Sequence, residues 1–402
     1  MPLPFMFKPA IKAALLQIHS IIGLVIALLL TVVALTGVTM SFEEEIQAGL
    51  NAGMSHVEAR QAPLLTPDEL IARLPPSDGR VAAIMLSSDP TSAVRIRFAP
   101  SHGGSRPTSV FVDPYDAHVL GTPRGEEFFA TVRRLHRWLL IPGDAKGYGR
   151  QITGIATISL LVLLISGLVL RWPHRAASAK MWLKPNFGLR GRGLHRSLHA
   201  VIGTWVLPIY LVMTLTGLWY SFDWYKNGAV WLLSRPRAAD AELEPKAPRG
   251  ARAAKSDVQA GTKRESRPLA LDRVWATFQQ LERNRFRTVL MNLPAGDATI
   301  VRVRAWAEDS TEGPRDEFRI DAASGELVSS ELYADKTIGE RMLMRVLDIH
   351  RGSIFGWPGK LVFMLAAAAM PLFAVTGLLL YVSRRRHRRL AHQAEMRLVP
   401  GE

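Results

Sequence analysis

Four apolar stretches stand out along the chain: Ala13 to Met40, Gly154 to Leu170, Ser197 to Phe222 and Leu361 to Val382. Each is on the order of 17 to 28 residues, enough for a helix to cross a bilayer. The first follows Lys8 and Lys12. It is too long for the apolar region of a secretion signal, and no small-x-small cleavage site precedes Glu43, so it reads as a retained anchor. Two segments of mixed polarity, Glu43 to Arg150 and Asp223 to Lys360, separate the spans and carry the pattern of soluble α+β structure. In the first, Thr66-Pro67-Asp68-Glu69 is a capping box that opens a short helix through Leu74. Val94 to Phe98 then alternates as a half-buried strand, and Ser109 to Asp113 runs into a turn at Pro114. The second segment repeats this order, with a helix from Leu271 to Leu281, alternation from Ile300 to Arg304, and Phe318 to Asp321 before a turn. Residues 235–268, rich in Ala, Lys, Arg, Glu and Pro without periodicity, predict a disordered tether.

The spans repeat as well. His19 and His199 are each followed four residues later by Gly23 and Gly203, and seventeen later by Thr36-Gly37 and Thr216-Gly217. His136-Arg137 and His350-Arg351 precede the second and fourth spans, which reach Ser166-Gly167 and Thr376-Gly377 near their far ends. Matched offsets in both halves predict an internal duplication, parallel because both halves start on the same side, with a pseudo-two-fold axis along the membrane normal.

Charge gives the orientation. The net charge is +15, and the flanks 1–14, 171–196 and 383–402 hold 15 Lys or Arg against two acidic residues. They are therefore cytoplasmic, with both termini inside. What remains outside is nearly neutral, so nucleic acid is not an expected partner. The predicted organisation is a first span with its flank (1–42), a periplasmic α+β domain (43–149) and a second span (150–172). A basic loop (173–196), a third span (197–222) and a second periplasmic domain (223–349) follow, then the His350 segment with the fourth span (350–382) and a basic tail (383–402). The expected fold is thus a membrane protein, a four-helix transmembrane bundle carrying two periplasmic α+β domains. Pro208 and Pro371 each introduce at most a kink.

The chain has no Cys, which excludes disulfides, Fe–S clusters and thioether-linked haem. No phosphate-binding glycine loop, dinucleotide fingerprint or serine elbow is present. Of eleven His, five sit at span boundaries: His19, His195 and His199 on the inner side, His136 and His350 on the outer. Histidines at such positions are functional candidates, although any single one can simply bond headgroups or helix ends. Pairing by level, His19 with His199 and His136 with His350, supplies two axial imidazoles to each of two irons, as in two stacked b-type haems. Gly37, Gly167, Gly217 and Gly377 would let a flat macrocycle lie against the helices; close helix packing explains them equally well. His195 lies one turn from His199 and remains an alternative ligand. Arg137 and Arg351 fit either haem propionates or lipid phosphates. His56, His102, His118, His174, His387 and His392 have no matched partners and read as surface residues, and Trp138, Trp172, Trp219, Trp224 and Trp357 suit an aromatic belt at the headgroups.

Over nearly its whole length the chain resembles the PepSY-associated transmembrane helix proteins of bacterial inner membranes, particularly the FoxB-like ferric-siderophore reductases. The likeness rests on Leu15-x-x-x-His19-x-x-x-Gly23, Leu135-His136-Arg137, Leu194-His195-Arg196-x-x-His199 and Ile349-His350-Arg351. It rests also on the PepSY-like turns running from Val112-Asp113-Pro114 to Gly121 and from Ile320-Asp321 to Leu327, the first with Ala117 where the family usually has Gly. The resemblance implies two PepSY-like periplasmic domains and a two-haem electron path delivering electrons to a ferric siderophore and releasing Fe(II). The donor would be a cytoplasmic flavin-type reductant or quinol. Two other readings stand beside it: a membrane-anchored PepSY-type binding or regulatory protein with structural histidines, and a reductase of another periplasmic acceptor. A transporter is disfavoured because no span carries an acidic residue or a broken centre.

Overall fold

A computed structural model describes residues 9–75, 79–99, 109–172, 179–234, 269–283 and 285–398. Helices α1 (Pro9–Met40), α2 (Glu43–Asn51) and α3 (Pro67–Ala72) precede strands β1 (Val81–Ser87), β2 (Val94–Phe98), β3 (Ser109–Val112) and β4 (Val119–Gly121). Helices α4 (Glu126–Trp138), α5 (Tyr148–Arg171), α6 (Ala179–Leu183), α7 (Arg192–Ser221), α8 (Asp223–Leu233) and α9 (Leu271–Glu282) follow. The chain continues through β5 (Thr288–Asn292), β6 (Ile300–Trp306), β7 (Asp316–Asp321) and β8 (Leu327–Glu331). It closes with α10 (Ile338–Met344), α11 (Val346–Arg351), α12 (Gly356–Ala368) and α13 (Met370–Leu398). Two compact units result: a helical one (Met1–Glu43, Glu127–Asn227, Val346–Glu402) and a sheet-bearing one (Glu44–Glu126, Gly228–Arg345). The expected tether, 235–268, lies outside the described residues.

In the helical unit four helical stretches are long and apolar enough to cross a membrane: Ala10–Met40, Tyr148–Arg171, Arg192–Ser221 and Ser353–Leu390. Their shared core is Ile26, Leu30, Ala156, Val206, Tyr210, Ala366 and Met370. Residues such as Val25 and Leu28, about three-quarters exposed, point away from it, as side chains in lipid must. Helix α7 runs unbroken through Pro208. The fourth stretch kinks at Ala369, between α12 and α13 and just before Pro371, whose missing N–H and ring disturb the preceding turn, while Ala369 keeps its bond to the Leu365 carbonyl. Of the predicted belt, Trp172, Trp224 and Trp357 are exposed.

The sheet unit differs from the sequence expectation in one respect. The two segments expected as separate domains contribute to a single antiparallel sheet of eight strands, ordered β4-β3-β2-β1-β5-β6-β7-β8. Its centre is the β1–β5 pair, in register from Ala83 opposite Asn292 to Ser87 opposite Thr288. Alternation puts Val301, Val303 and Ala305 of β6 on the buried face. Helices α3 and α9 cover that face with Leu70, Leu271, Val274 and Phe278. The capping box at Thr66 and Glu69 forms as predicted, over a helix that stops at Ala72. The two helices also cap one another. Asp68 accepts from the backbone N–H groups of Leu271 and Asp272, and Asp272 accepts from the Asp68 N–H and the Thr66 hydroxyl. The PepSY-like turns match as well: Asp113 accepts from the Tyr115 N–H and Asp321 from the Ala323 N–H.

Candidate functional site

The helical unit brings four of the predicted histidines together in two pairs. The rings of His19 (α1) and His199 (α7) stand 6.3 Å apart, centroid to centroid, at an interplanar angle of 73°. Those of His136 (α4) and His350 (α11) stand 6.4 Å apart at 76°.

Each imidazole is seated by one of the hydroxyl-glycine pairs. His19 Nδ1 lies 2.8 Å from Ser166 Oγ, His136 Nδ1 3.0 Å from Thr36 Oγ1, His199 Nδ1 2.8 Å from Thr376 Oγ1, and His350 Nδ1 2.8 Å from Thr216 Oγ1. Each hydroxyl donates to the carbonyl four residues back, at Val162, Val32, Leu372 and Val212 respectively. Its single proton is thus spent, and its oxygen is left to accept from Nδ1–H. His136 Nδ1 also lies 2.8 Å from the Val33 carbonyl, which can only accept, and His350 bonds the Met213 backbone in the same way. These partners fix the proton on Nδ1 and leave Nε2 unprotonated, the form in which an imidazole can bind a metal. An Nε2 atom on each side of one metal, at about 2.0 Å, with ring centroids about 1.1 Å further out, separates the centroids by about 6.2 Å. Both observed pairs match that spacing.

The glycines sit under the rings. A Cβ on Gly37 would come 3.4 Å from His136 Cε1, and on Gly167 3.3 Å from His19 Cε1; at Gly217 and Gly377 the distances to His350 and His199 are 3.9 and 3.8 Å. What the missing side chain admits is an imidazole from a neighbouring helix, in addition to whatever room it leaves for a macrocycle.

The profile of the PepSY-associated TM region matches residues 16–384 of the chain. This protein belongs to the PepSY-associated TM family. No curated protein matches it significantly.

In this PepSY-associated TM protein the two pairs lie well apart. His136 meets α1 at Val33 and Thr36, beyond His19 by some 14 to 17 residues, or about 21–26 Å of helix. Among the described residues no group of three or more His, Asp or Glu is arranged to hold a metal ion. Two imidazoles leave most of a metal's coordination sphere open, and a planar tetradentate macrocycle is one group that would fill four of those positions. His136 and His350 lie outside the four spans. Burial lowers both imidazoles, His136 to about 4 with the charges of Arg137 and Arg351 adding to it, and His350 to about 3 with His136 and then Arg351 adding to it, so both are neutral near pH 7.

The remaining predicted site residues separate. His199, and not His195, is the ring partner of His19, and among the described residues the His195 imidazole has no hydrogen-bond, ion-pair or ring partner. Arg351 reaches Glu43 Oε2 at 3.9 Å, and Arg133 binds the other oxygen of that carboxylate. Arg137 has no carboxylate partner among the described residues; its guanidinium lies over Trp138 and Tyr220, 4.9 and 5.4 Å from the ring centroids. His56, His118 and His387 are exposed, as expected. His102 and His174 lie outside the described residues, as does the side chain of His392. Sequence reasoning missed Glu43, Tyr220 and Phe373, whose ring stands 5.3 Å from that of His199. Glu43 alone carried a signal, as the first acid after a span.

Proposed function

We propose that this protein is a di-haem transmembrane electron-transfer protein, FoxB-like, that reduces ferric siderophores on the periplasmic side of a bacterial inner membrane and so releases Fe(II). The observation that carries this reading is the repeated imidazole pair: two pairs at metal-bridging separation, every Nδ1 occupied by a hydroxyl and every Nε2 left for iron. His19 with His199 would hold one b-type haem and His136 with His350 the other. Haem b, when bound, supplies one-electron Fe(III)/Fe(II) exchange, one electron for each ferric ion reduced.

The chain's own residues fix the ligands in one tautomer, set the two sites about 21–26 Å apart along α1, and put the apolar core residues Ile26 and Leu30 of that helix between them. The basic flanks support an orientation in which His19, His199 and both termini are cytoplasmic, facing a flavin-type reductant or quinol, and His136 and His350 are periplasmic. Arg137, without a carboxylate partner among the described residues, is available to a propionate of the outer haem. The matched seats, the reciprocal Asp68–Asp272 caps and the central β1–β5 pair support an internal duplication. The sheet unit would then be periplasmic, the two PepSY-like halves sharing one sheet.

Visible spectra of the purified full chain test this. A Soret band, a sharp α-band on dithionite reduction and about two haems per chain are expected. With haem supplied during expression, absence of a Soret band would sink the conduit and leave a membrane-anchored binding or regulatory protein. Stopped-flow reoxidation of the reduced protein by a panel of ferric siderophores then addresses the acceptor. Uniformly slow rates would point to another periplasmic substrate.

A further inference from the structure

The seat of His19 is bordered by a positive charge that none of the preceding assignments uses. Ser20, the next residue on α1, donates its hydroxyl proton to the Leu16 carbonyl at 2.7 Å, which leaves its oxygen as an acceptor. Arg384 of α13 fills that role, with Nη1 at 3.3 Å from Ser20 Oγ. A serine oxygen satisfies one of five guanidinium N–H donors and none of the charge. Arg384 Nε is buried and has no hydrogen-bond partner. The charged groups that face Arg384 are Arg192 from α7 and Arg388 from the next turn of α13, both of its own sign. Its field reaches the His19 imidazole. Among the described residues no carboxylate pairs with it.

Three arginines at the other end of the bundle are neutralised, Arg150 by Asp223 and Arg133 and Arg351 by Glu43, while Arg137 there lies over aromatic rings instead. A partly buried guanidinium among like charges, with its Nε unsatisfied, favours an anion, and its planar fork fits a carboxylate best. The anion must approach beside His19, where the proposed haem carries two carboxylates. The feature is also one-sided, because Ala200, the residue after His199, has no hydroxyl to offer.

We propose that Arg384, oriented by Ser20, is the carboxylate clamp of the group held between His19 and His199, binding one propionate of the inner haem and fixing which way round the macrocycle enters. This rests on the di-haem reading. A lipid headgroup phosphate is the competing occupant, and the test separates the two.

The test uses the full chain in detergent, with R384Q, R384K and, as an exposed basic control on the same helix, R386Q. Haem transfer to excess apomyoglobin and an optical redox titration resolving two midpoint potentials are the readouts. R384Q is expected to release one of the two haems at least about tenfold faster, the loss of a charge-assisted hydrogen bond, and to lower one midpoint potential. R384K should fall between R384Q and wild type, and R386Q should match wild type. His19→Ala must abolish the same haem that R384Q loosens. Reconstitution with haem dimethyl ester, whose carboxylates are blocked, should erase the difference between wild type and R384Q.

Two haems in the wild type with R384Q unchanged overturn the clamp alone. A difference that persists with the dimethyl ester, together with loss of co-purifying phospholipid from R384Q, assigns Arg384 to a lipid phosphate and also overturns it. A wild-type chain that binds no haem removes the di-haem reading and the clamp together. If R384Q fails to accumulate, R384K with the dimethyl ester carries the same comparison.

Discussion

Tyr220 sets its ring edge-on to the imidazole of His350, with centroids 6.3 Å apart and an interplanar angle of 74°. Arg137 lies over the same phenol ring. Tyr220 therefore steadies a ligand candidate with one contact and a propionate candidate with another. Tyr220→Phe keeps the ring and is expected to hold the outer haem as wild type does. Tyr220→Ala loses an edge contact of about 1 kcal/mol and should release that haem severalfold faster in a transfer assay.

The ring pairs make the ligand assignment separable. His136→Ala and His350→Ala should each remove one haem, and His19→Ala and His199→Ala the other, counted as pyridine haemochrome per chain. His195→Ala should retain both, because His199 is the ring that faces His19. A full loss of the inner haem in His195→Ala, with His199→Ala unaffected, would reverse the assignment.

The four seats are not equally tight. Gly37→Ala and Gly167→Ala place a methyl group at 3.4 and 3.3 Å from an imidazole carbon, whereas Gly217→Ala and Gly377→Ala leave 3.9 and 3.8 Å. The first two should shift the imidazoles and broaden the reduced α-band, and the last two should leave the spectrum unchanged. Thr376→Val acts on a different property. It strands the His199 Nδ1–H without its hydroxyl acceptor, at a cost of about 1–3 kcal/mol, and makes the imidazole a weaker electron donor. The inner midpoint potential should rise.

Within the sheet unit, Ala117 adopts φ +62° where Gly325 holds φ +79° at the matched turn. A left-handed alanine costs about 1 kcal/mol that glycine avoids. Ala117→Gly should strengthen protection of the β3–β4 turn in amide hydrogen exchange, and Gly325→Ala should weaken its counterpart, more so because the new Cβ would lie 3.3 Å from Arg273 Cβ.

Glu282 is buried, and desolvation followed by the neighbouring Asp316 carboxylate raises its carboxyl above the ordinary 4.5. An acid raised in the folded state contributes its full stabilisation below about pH 4.5 and loses it as pH rises through the folded value. Glu282→Gln, neutral throughout, should match wild type near about pH 4 and be the more stable protein near about pH 7. Hydrogen exchange of α9 at the two pH values measures this.

The histidines and their seats are legible in the sequence because a duplicated unit repeats its offsets: the seventeen-residue step from His19 to Thr36 recurs from His199 to Thr216. What the offsets do not carry is which seat takes which ring. Thr36 receives His136 from 100 residues away, and Thr376 receives His199 from 177, pairings that only helix packing decides. The role of the glycines was hidden for the same reason, since a bare Cα looks alike whether a macrocycle, a backbone or an imidazole lies against it. Strand alternation located β2 and β6 but is silent about edges, so the join between β1 and β5 could not be read from it. Arg384 was submerged in a basic run whose obvious meaning was topology.

That join has a consequence for how the protein is made. The first four strands leave the ribosome with β1 as a bare edge, apolar along Val81, Ala83, Ile84 and Leu86. The strand that covers it begins at Thr288, about two hundred residues after Ser87, so closing the sheet is a non-local and late event. Two further spans must be inserted before it arrives. Throughout that interval the nascent chain carries an unpaired edge of the kind that recruits other strands, including β1 of a second nascent chain. Severing the chain between its halves would therefore create two adhesive edges instead of two smaller proteins.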